Sequence, residues 1–507
     1  MLTNHGWLFL SHCILMNFLT LNRQHVIFKS NKIERGQIKM FVGREEELEQ
    51  LKEFKRRKVA GIIVCCGRRR IGKSTLIEHF GERTRFLEFY GLAPREQLTN
   101  SDQLNHFGEL MGLKFNIPAM KFDNWNQALT ALAGLTSEGR VIIFLDEISW
   151  MAGRDQDFAA KLKGVWDTKF KKNNELILVL CGSVSSWIQE NILNDKGFMG
   201  RVSLTINLEE MPLSDANKFW GNRTISSYEK FKLLCVTGGV PRYLEEIQPE
   251  QTAEQNIKRM CFSKGGILVD EFDKIFGDIF GRRADDYKKI VQVLSHCNLD
   301  QTEICKRLGV AQTGGFSKML TVLQQSGFLT RDYVWNGNLK RVKLYKYRLR
   351  DNYLRFYLNY IEPKKQLIEQ GVYSDLHLEE LPEWQTVMGL QFENLVLNNL
   401  SAIQRILQIS PSSVLSISPY FQSNTLRTEA CQIDLLIQTR HTIYVCEIKF
   451  RKQIPLSVID EVKEKIRKIK IPKTTSVRPV LIYEGELSGN IKSENFFSHL
   501  IPFKDLL

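Results

Sequence analysis

No two of the ten cysteines stand as a CxxC pair, and they recur at no regular interval. That excludes a zinc finger or ribbon and a disulfide framework. Cys65, Cys66, Cys181 and Cys446 sit inside apolar runs, where cysteine behaves as a small core residue of a reducing compartment. An apolar run long enough to span a bilayer is also missing. Trp7–Leu21 is short and broken by His12 and Asn17. It has neither a basic leader nor a small-residue cleavage site, so it does not read as a secretory signal. The expectation is a cytoplasmic protein with no membrane span, with a tethering helix at residues 7–21 as the alternative. Acidic residues are in deficit: 57 Asp and Glu against 70 Lys and Arg leave a formal charge of +13. This favours an anionic partner, nucleic acid first and a membrane surface second. The 507 residues, 43% of them hydrophobic and 25% charged, suit a soluble chain of two to four domains.

What is present is sharper. Residues 67–74 read Gly-Arg-Arg-Arg-Ile-Gly-Lys-Ser and fit the phosphate-loop pattern GxxxxGK[ST]. An apolar run, Gly61–Cys66, precedes the loop and a helix-like stretch, Ser74–Phe80, follows it. Strand, loop and helix is the context in which backbone N–H groups and a helix N-terminus hold phosphate. The nucleotide-binding set is therefore Gly67, Arg68, Arg69, Arg70, Ile71, Gly72, Lys73, Ser74 and Thr75. Lys73 would reach the β- and γ-phosphates of ATP, and the Ser74 hydroxyl would ligate Mg²⁺. For Arg68, Arg69 and Arg70 a structural or partner role stands beside direct phosphate contact. About 70 residues on, Arg140–Glu147 is an apolar strand ending in two carboxylates. Asp146 would hold Mg²⁺ through water, and Glu147 would be the general base toward the attacking water. A third strand, Leu176–Cys181, ends in Gly182-Ser183, where Ser183 is either a contact to the γ-phosphate or a strand-end turn. Phe86–Leu92 supplies a fourth. Strands alternating with helical stretches predict a parallel sheet covered by helices, with ligand at the strands' carboxyl ends.

With these motifs the chain resembles the AAA+-related archaeal-type ATPases. The resemblance begins at Met40-Phe-Val-Gly-Arg-Glu-Glu-Glu-Leu48, runs through the phosphate loop and Leu145-Asp146-Glu147, and includes Met199-Gly-Arg201 and Thr237-Gly-Gly-Val-Pro-Arg-Tyr-Leu244. It implies that Arg44 lies near the adenine end. It implies further that Arg201 is an arginine finger or sensor, in cis or from a neighbour in a homo-oligomer, against the plain reading of a surface arginine. The family-like part starts at Met40, so residues 1–39 read as a poorly ordered extension from an upstream start codon.

Residues 205–285 read as mostly helical, a lid over the sheet. From 286 the pattern changes to Tyr287–His296, a helix opened by Asp300-Gln-Thr-Glu303, a helix over Thr313–Ser326, and two strands, Phe328–Asp332 and Val342–Leu349. Three helices and a hairpin predict a winged helix-turn-helix. It either binds DNA, through the Thr313–Gln325 helix and wing residues Lys340, Arg341, Lys343 and Lys346, or serves as a protein-contact or lid domain. Tyr347–Leu358 fits the family's Y-x-x-x-D-x-x-x-R-F pattern at Asp351, Arg355 and Phe356 and reads as a packing helix.

A second constellation lies near the C-terminus. Leu390–Leu400 is a helix with Glu393, Cys431–Ile437 a strand with Asp434, and Thr442–Phe450 a strand with Glu447 and Lys449. Alternation puts Glu447 and Lys449 on one strand face. Asp434 and Glu447 are candidate metal ligands, and Lys449 a candidate to position water and steady phosphate charge. The set resembles the PD-(D/E)xK nuclease fold, although Ile433 stands where that pattern has proline. The helix of Ser457–Lys470 is rich in lysine and reads either as a phosphate-tracking face or as a solvated one.

The expected order is thus an extension (1–39), an α/β P-loop ATPase core (40–210), a helical lid and connector (211–285), a winged helix-turn-helix (286–363) and a restriction-endonuclease-like α/β domain (364–507). The function expected is Mg²⁺-dependent ATP hydrolysis coupled to DNA or RNA binding and phosphodiester cleavage. The rivals are an ATP-driven regulatory switch and a DNA-binding regulator with an inert nuclease fold.

Overall fold

The computed structural model describes residues 41–507 apart from 96, 184–185, 222, 336–343, 374–375, 425–428 and 472–473. The extension 1–39 and the wing residues Lys340, Arg341 and Lys343 lie outside this set. Helix α1 (Glu45–Arg56) leads into β1 (Gly61–Gly67), which is buried along its whole length. The phosphate loop follows and opens α2 (Lys73–Gly81). Strands β2 (Arg85–Tyr90), β3 (Val141–Asp146), β4 (Leu176–Ser183) and β5 (Val202–Leu208) complete a sheet in the order β2-β3-β4-β1-β5. Every pairing in it is parallel. Its central strands read as unbroken apolar runs because helices cover both faces. One face packs on α3 (Asn100–Phe115), α4 (Trp125–Leu135) and α5 (Phe158–Thr168), where Trp125 meets Phe158 edge to face at 5.0 Å. Because β4 lies between β1 and β3, Ser183 falls opposite Gly67, at the same sheet edge as Asp146.

Strand β5 corrects the helical expectation from residue 205. Its Val-Ser-Leu-Thr-Ile-Asn-Leu sequence alternates apolar and polar residues, and Ile206 and Leu208 are buried while Thr205 and Asn207 are exposed. A period of two is a strand signal, which wins here over the helical character of the segment that follows.

Beyond the sheet come α6 (Ser227–Thr237), α7 (Glu271–Phe280), α8 (Ala284–Val293), α9 (Gln301–Leu308) and α10 (Gly314–Gln325). The local signals explain their ends. Asp300 and Glu303 exchange bonds at 2.8 Å as a capping box on α9, and Gly309 closes it at φ +65°. Thr313 caps α10. An antiparallel pair, β6 (Leu329–Tyr333) with β7 (Tyr345–Leu349), follows.

Helices α11 (Asn352–Phe356) and α12 (Trp384–Leu397) lead to a mixed sheet of β8 (Val414–Gln422), β9 (Cys431–Thr439), β10 (Thr442–Ile454), β11 (Ser476–Leu487) and β12 (His499–Pro502). β8, β9 and β10 pair antiparallel, β10, β11 and β12 parallel. The parallel step from β10 to β11 needs a crossover, supplied by α13 (Val458–Lys468). Buried apolar residues from Leu213 to Leu506 form one continuous cluster. The segments 211–285, 286–363 and 364–507 are therefore packed against each other and share a core. Among the described residues no helix is long and apolar enough to cross a membrane.

Glu484 on β11 is half-buried, and that burial raises its carboxyl from 4.5 to about 7. An acid raised in the folded state binds more protons there than in the unfolded chain, so stability falls as pH rises between those two values. With discounting for its partial exposure, Glu484→Gln should stabilise the protein by about 1 kcal/mol at pH 8 and leave it unchanged at pH 4. Urea midpoints at the two pH values check this.

Candidate functional site

The phosphate loop begins at Gly67 and turns back at Gly72, whose φ of +86° is a left-handed conformation that glycine adopts without strain. Lys73 is buried, and its Nζ donates to the carbonyl oxygens of Gly67 and Arg68 at 3.0 Å each. The ammonium is thereby held inside the concavity of the loop. Ser74 Oγ donates to Asp146 Oδ2 at 2.8 Å, across from β3. Thr75, one position further, is exposed. Glu147 follows Asp146 at φ +48° and heads the short helix Ile148–Ala152. Burial raises its carboxyl above the usual carboxylate range, against the pull of Lys73, and a backbone hydrogen bond ties it to Ser183. Its Oε2 is buried and has no hydrogen-bond partner among the described residues. Lys73, Ser74, Asp146, Glu147 and Ser183 are thus brought together at the carboxyl edge of the sheet.

The loop's arginines point elsewhere, and each finds an acid far along the chain. Arg68 is buried and pairs with Glu210 at 3.0 Å and with Asp351, while its guanidinium lies 5.7 Å from the Phe328 ring. Arg69 pairs with Asp278 and lies over Trp150. Arg70 Nε donates to the buried Glu271 at 2.8 Å, and the Tyr243 hydroxyl approaches the same carboxylate at 3.4 Å. The side chains of Arg68, Arg69 and Arg70 therefore bind the lid and the segments beyond it, the structural one of the two roles expected for them. Ile71 is fully buried and is a packing residue of the loop. Arg44 supports the loop from outside: its Nη2 donates to Ile71 O at 3.2 Å and Glu209 O at 2.6 Å.

The Gly-Gly-x-Pro turn explains itself at this contact. A Cβ on Gly239 would stand 2.1 Å from Met211 O, and Gly239 N–H donates to Glu210 Oε2 at 3.3 Å. The turn thus cradles the carboxylate that meets Arg68. Arg242 N–H donates to Arg70 O at 3.4 Å, so the same turn touches the phosphate loop directly. A cavity of about 260 Å³ opens beside it, walled by Gly67, Arg68, Asn207, Gln324, Gly327 and Arg350.

Arg201 is not part of this site. β5 lies parallel to β1, with Val202 opposite Ile62 and Leu208 opposite Gly67. At about 3.3 Å per residue, Arg201 stands roughly 20 Å from the loop, at the other end of the sheet. Its guanidinium is held by Asp167 at 2.9–3.1 Å and by Gly197 O at 2.8 Å. A sensor role in cis is geometrically closed.

The second constellation does assemble. Asp434 and Glu447 fall on the sheet face that carries Leu436 and Val445, the next positions beyond the Leu435–Cys446 pair. Asp434 Oδ2 accepts from Ile448 N–H at 2.8 Å. Burial and the neighbouring charges of Glu447 and Glu393 raise its carboxyl well above the usual range. Glu447 is buried and accepts from Lys449 at 2.8 Å and from Lys465 at 2.7 and 2.6 Å. Glu393 reaches this field from α12, its own carboxyl raised by burial. Carboxylate oxygens suit Mg²⁺. However, both oxygens of Glu447 are engaged by ammonium groups, and no three acidic, His or Cys groups among the described residues converge as a metal site. As arranged, this cluster does not fit a divalent cation. Sequence reasoning read Lys465 only as one of a basic helix face. Its spacing three residues from the buried Val462 was the signal that it turns toward the sheet. Asp351 was read for packing alone, and Glu210, Glu271 and Asp278 carried no motif.

Comparison with known proteins bears on the first site. Residues 41–247 match a family described as an ATPase domain predominantly from Archaea. The chain is 25% identical over 358 residues to the uncharacterised protein MJECL04 of Methanocaldococcus jannaschii, covering 70% of this chain and 76% of that one. Two solved structures are similar at low identity. The Walker-type ATPase PABY2304 of Pyrococcus abyssi is 16% identical, covers 63% of this chain and 96% of its own, and has a TM-score of 0.47. The ORC2 protein of Aeropyrum pernix, solved with ADPNP and ADP, is 12% identical, covers 67% and 98%, and has a TM-score of 0.39.

Proposed function

With residues 41–247 as an archaeal AAA+-type P-loop ATPase domain, and the chain as an ATP-hydrolysing enzyme, we propose that ATP turnover drives a C-terminal half that binds nucleic acid and cleaves phosphodiester bonds. In the ATPase site Lys73 exchanges its two carbonyl partners for β- and γ-phosphate oxygens. Ser74 and Asp146, hard oxygen donors already in contact, are the residues that would hold Mg²⁺. When bound, the ion neutralises charge on the phosphates. Glu147 orients the attacking water and takes its proton, and a raised pKa suits a base that must also release it. Ser183 steadies Glu147. Arg201 serves as a finger only toward a neighbouring copy.

The observation that carries the C-terminal half of this reading is the convergence of Asp434, Glu447 and Lys449 on one face of the mixed sheet, with Glu393 behind them. Lys449 supplies positive charge where a phosphodiester develops negative charge. The three helices α8–α10 and the β6–β7 pair read as a winged helix-turn-helix. Its basic residues are partly occupied: Lys318 pairs with Glu190 at 3.5 Å and Lys346 with Glu303 at 3.4 Å. A cavity of about 450 Å³ between that pair and the C-terminal sheet is lined by Arg331, Arg348 and Arg350, of which Arg348 is held by Asp332 at 2.7 Å and Arg350 by Glu209. The arginine contacts of the phosphate loop support coupling, since nucleotide binding cannot reshape the loop without acting on Glu210, Asp278, Glu271 and Asp351.

The occupied state of Glu447 favours a second reading, a regulatory ATPase whose C-terminal sheet only binds. Plasmid and single-strand cleavage with Mg²⁺ or Mn²⁺, with and without ATP, separates the two. The expected result is cleavage that is lost in Asp434→Ala and altered in Lys73→Ala. Intact ATP turnover with no cleavage in either metal would establish the regulatory reading.

A further inference from the structure

Three parts of the ATPase site meet at one guanidinium. Glu147 heads a helix of only five residues, Ile148–Ala152. So short a turn has little stability of its own, and its direction is set by what packs around it. Ile148, Met151 and Ala152 are buried in the core of the parallel sheet. The fit at the end of β2 is close: a Cβ on Gly91 would stand 2.5 Å from Met151 N and 2.9 Å from Glu147 O. Gln103 Nε2 donates to Trp150 O at 2.8 Å. The Trp150 ring is half-buried, and the Arg69 guanidinium lies 5.3 Å from it. Arg69 is in turn paired with Asp278 of α7. Arg70, the next residue, donates to Glu271 of the same helix at 2.8 Å. The phosphate loop and α7 are therefore tied twice, and one of the two ties also covers the turn that bears Glu147.

We propose that Arg69 is a positioning residue for Glu147: its side chain clamps the turn that Glu147 heads to α7 of the lid. Arginine suits this place. Its flat face stacks on an indole while its edge still donates to a carboxylate, a combination lysine lacks. Trp150 N–H donates to Glu147 O at 2.8 Å, so a shift at Trp150 is passed to the backbone of Glu147. A displacement of about 1 Å is enough to cost about 100-fold in rate. Glu147 is then in place only while the loop and α7 keep this arrangement, which ties the hydrolytic step to the lid. The proposal rests on the reading of Glu147 as the general base, and its test separates the two.

The test is steady-state ATP turnover by the full chain, beside melting curves, in wild type, Trp150→Leu, Trp150→Phe, Asp278→Asn and Glu147→Gln. Asp278 is 41% exposed, so asparagine there should fold even where leucine at position 150 does not. Trp150→Leu and Asp278→Asn should lower kcat about 10- to 100-fold and leave KM within about twofold, since neither side chain touches the nucleotide. Trp150→Phe keeps an aromatic face for Arg69 and should recover most of the loss. In the Glu147→Gln background the same substitutions should cost nothing further, a result that a merely structural role would not produce. Wild-type kcat in folded Trp150→Leu or Asp278→Asn, with Glu147→Gln inactive, overturns the clamp alone. A rise in KM at unchanged kcat overturns it too, because it would place these residues in binding. A Glu147→Gln protein that keeps its turnover overturns the base reading, and the clamp with it.

Discussion

Lys73→Met is expected to lower ATP turnover at least about 100-fold, the scale seen when one charge-stabilising donor is removed from a preorganised site. Methionine keeps the length and the packing of the buried stem but not the ammonium. The carbonyl oxygens of Gly67 and Arg68 lose the donor that holds them at 3.0 Å. Each lost bond costs on the order of 1 kcal/mol, so the variant should melt slightly lower but remain folded. Lys73→Ala should lose the same activity and melt lower still, because it also empties the space of the stem. Phosphate release by the three proteins, measured beside their melting curves, checks both parts. A Lys73→Met protein that keeps more than a tenth of wild-type turnover would remove Lys73 from the chemistry and leave it a purely structural residue of the loop.

The site around Lys73 was legible in the sequence because its residues are contiguous or end adjacent apolar strands. Gly67 to Ser74 are fixed by one loop, and Asp146 and Ser183 by two buried runs, so spacing alone brings them to one sheet edge. The pairing of Asp434, Glu447 and Lys449 was legible for the same reason: strand alternation dictates a shared face. Two things were not. The strand Val202–Leu208 was hidden by a segment read as one helical block, although its period of two was there to be counted. The arginine contacts could not be seen at all. Arg68 and Asp351 are 283 positions apart, and nothing local says that a charge in a phosphate loop turns away from phosphate. Only the packing of the later segments on the loop decides it. Arg201 shows the same limit for its role within one chain. Its motif suggested phosphate, whereas parallel register puts it at the wrong end of the sheet, facing Asp167.

That packing predicts the largest stability effect. Asp351→Ala is expected to destabilise the protein by about 3–5 kcal/mol, the range for removing one partner of a buried ion pair. Arg68 is left with Glu210 alone, and its Nε and Nη2 already have no hydrogen-bond partner among the described residues. Asp351 also caps α11 through Leu354 N–H at 3.0 Å, a contribution of about 1 kcal/mol. Asp351→Asn separates the two roles, since asparagine is an equally good cap but carries no charge. Its loss should therefore be smaller than that of alanine by about 1 kcal/mol. Urea unfolding of the three proteins gives these differences. Equal losses in the two variants would show that the cap counts for nothing, and a loss under about 1 kcal/mol in both would show that the pair does not stabilise the fold. The pair joins the phosphate loop to Asp351, the second residue after the β6–β7 pair and the cap of α11. If turnover is transmitted through it, protease protection of residues 286–507 should respond to ATP in the wild type and no longer do so in Asp351→Asn. A response that survives this loss of charge would shift the route to the remaining contacts, Arg69 with Asp278 and Arg70 with Glu271.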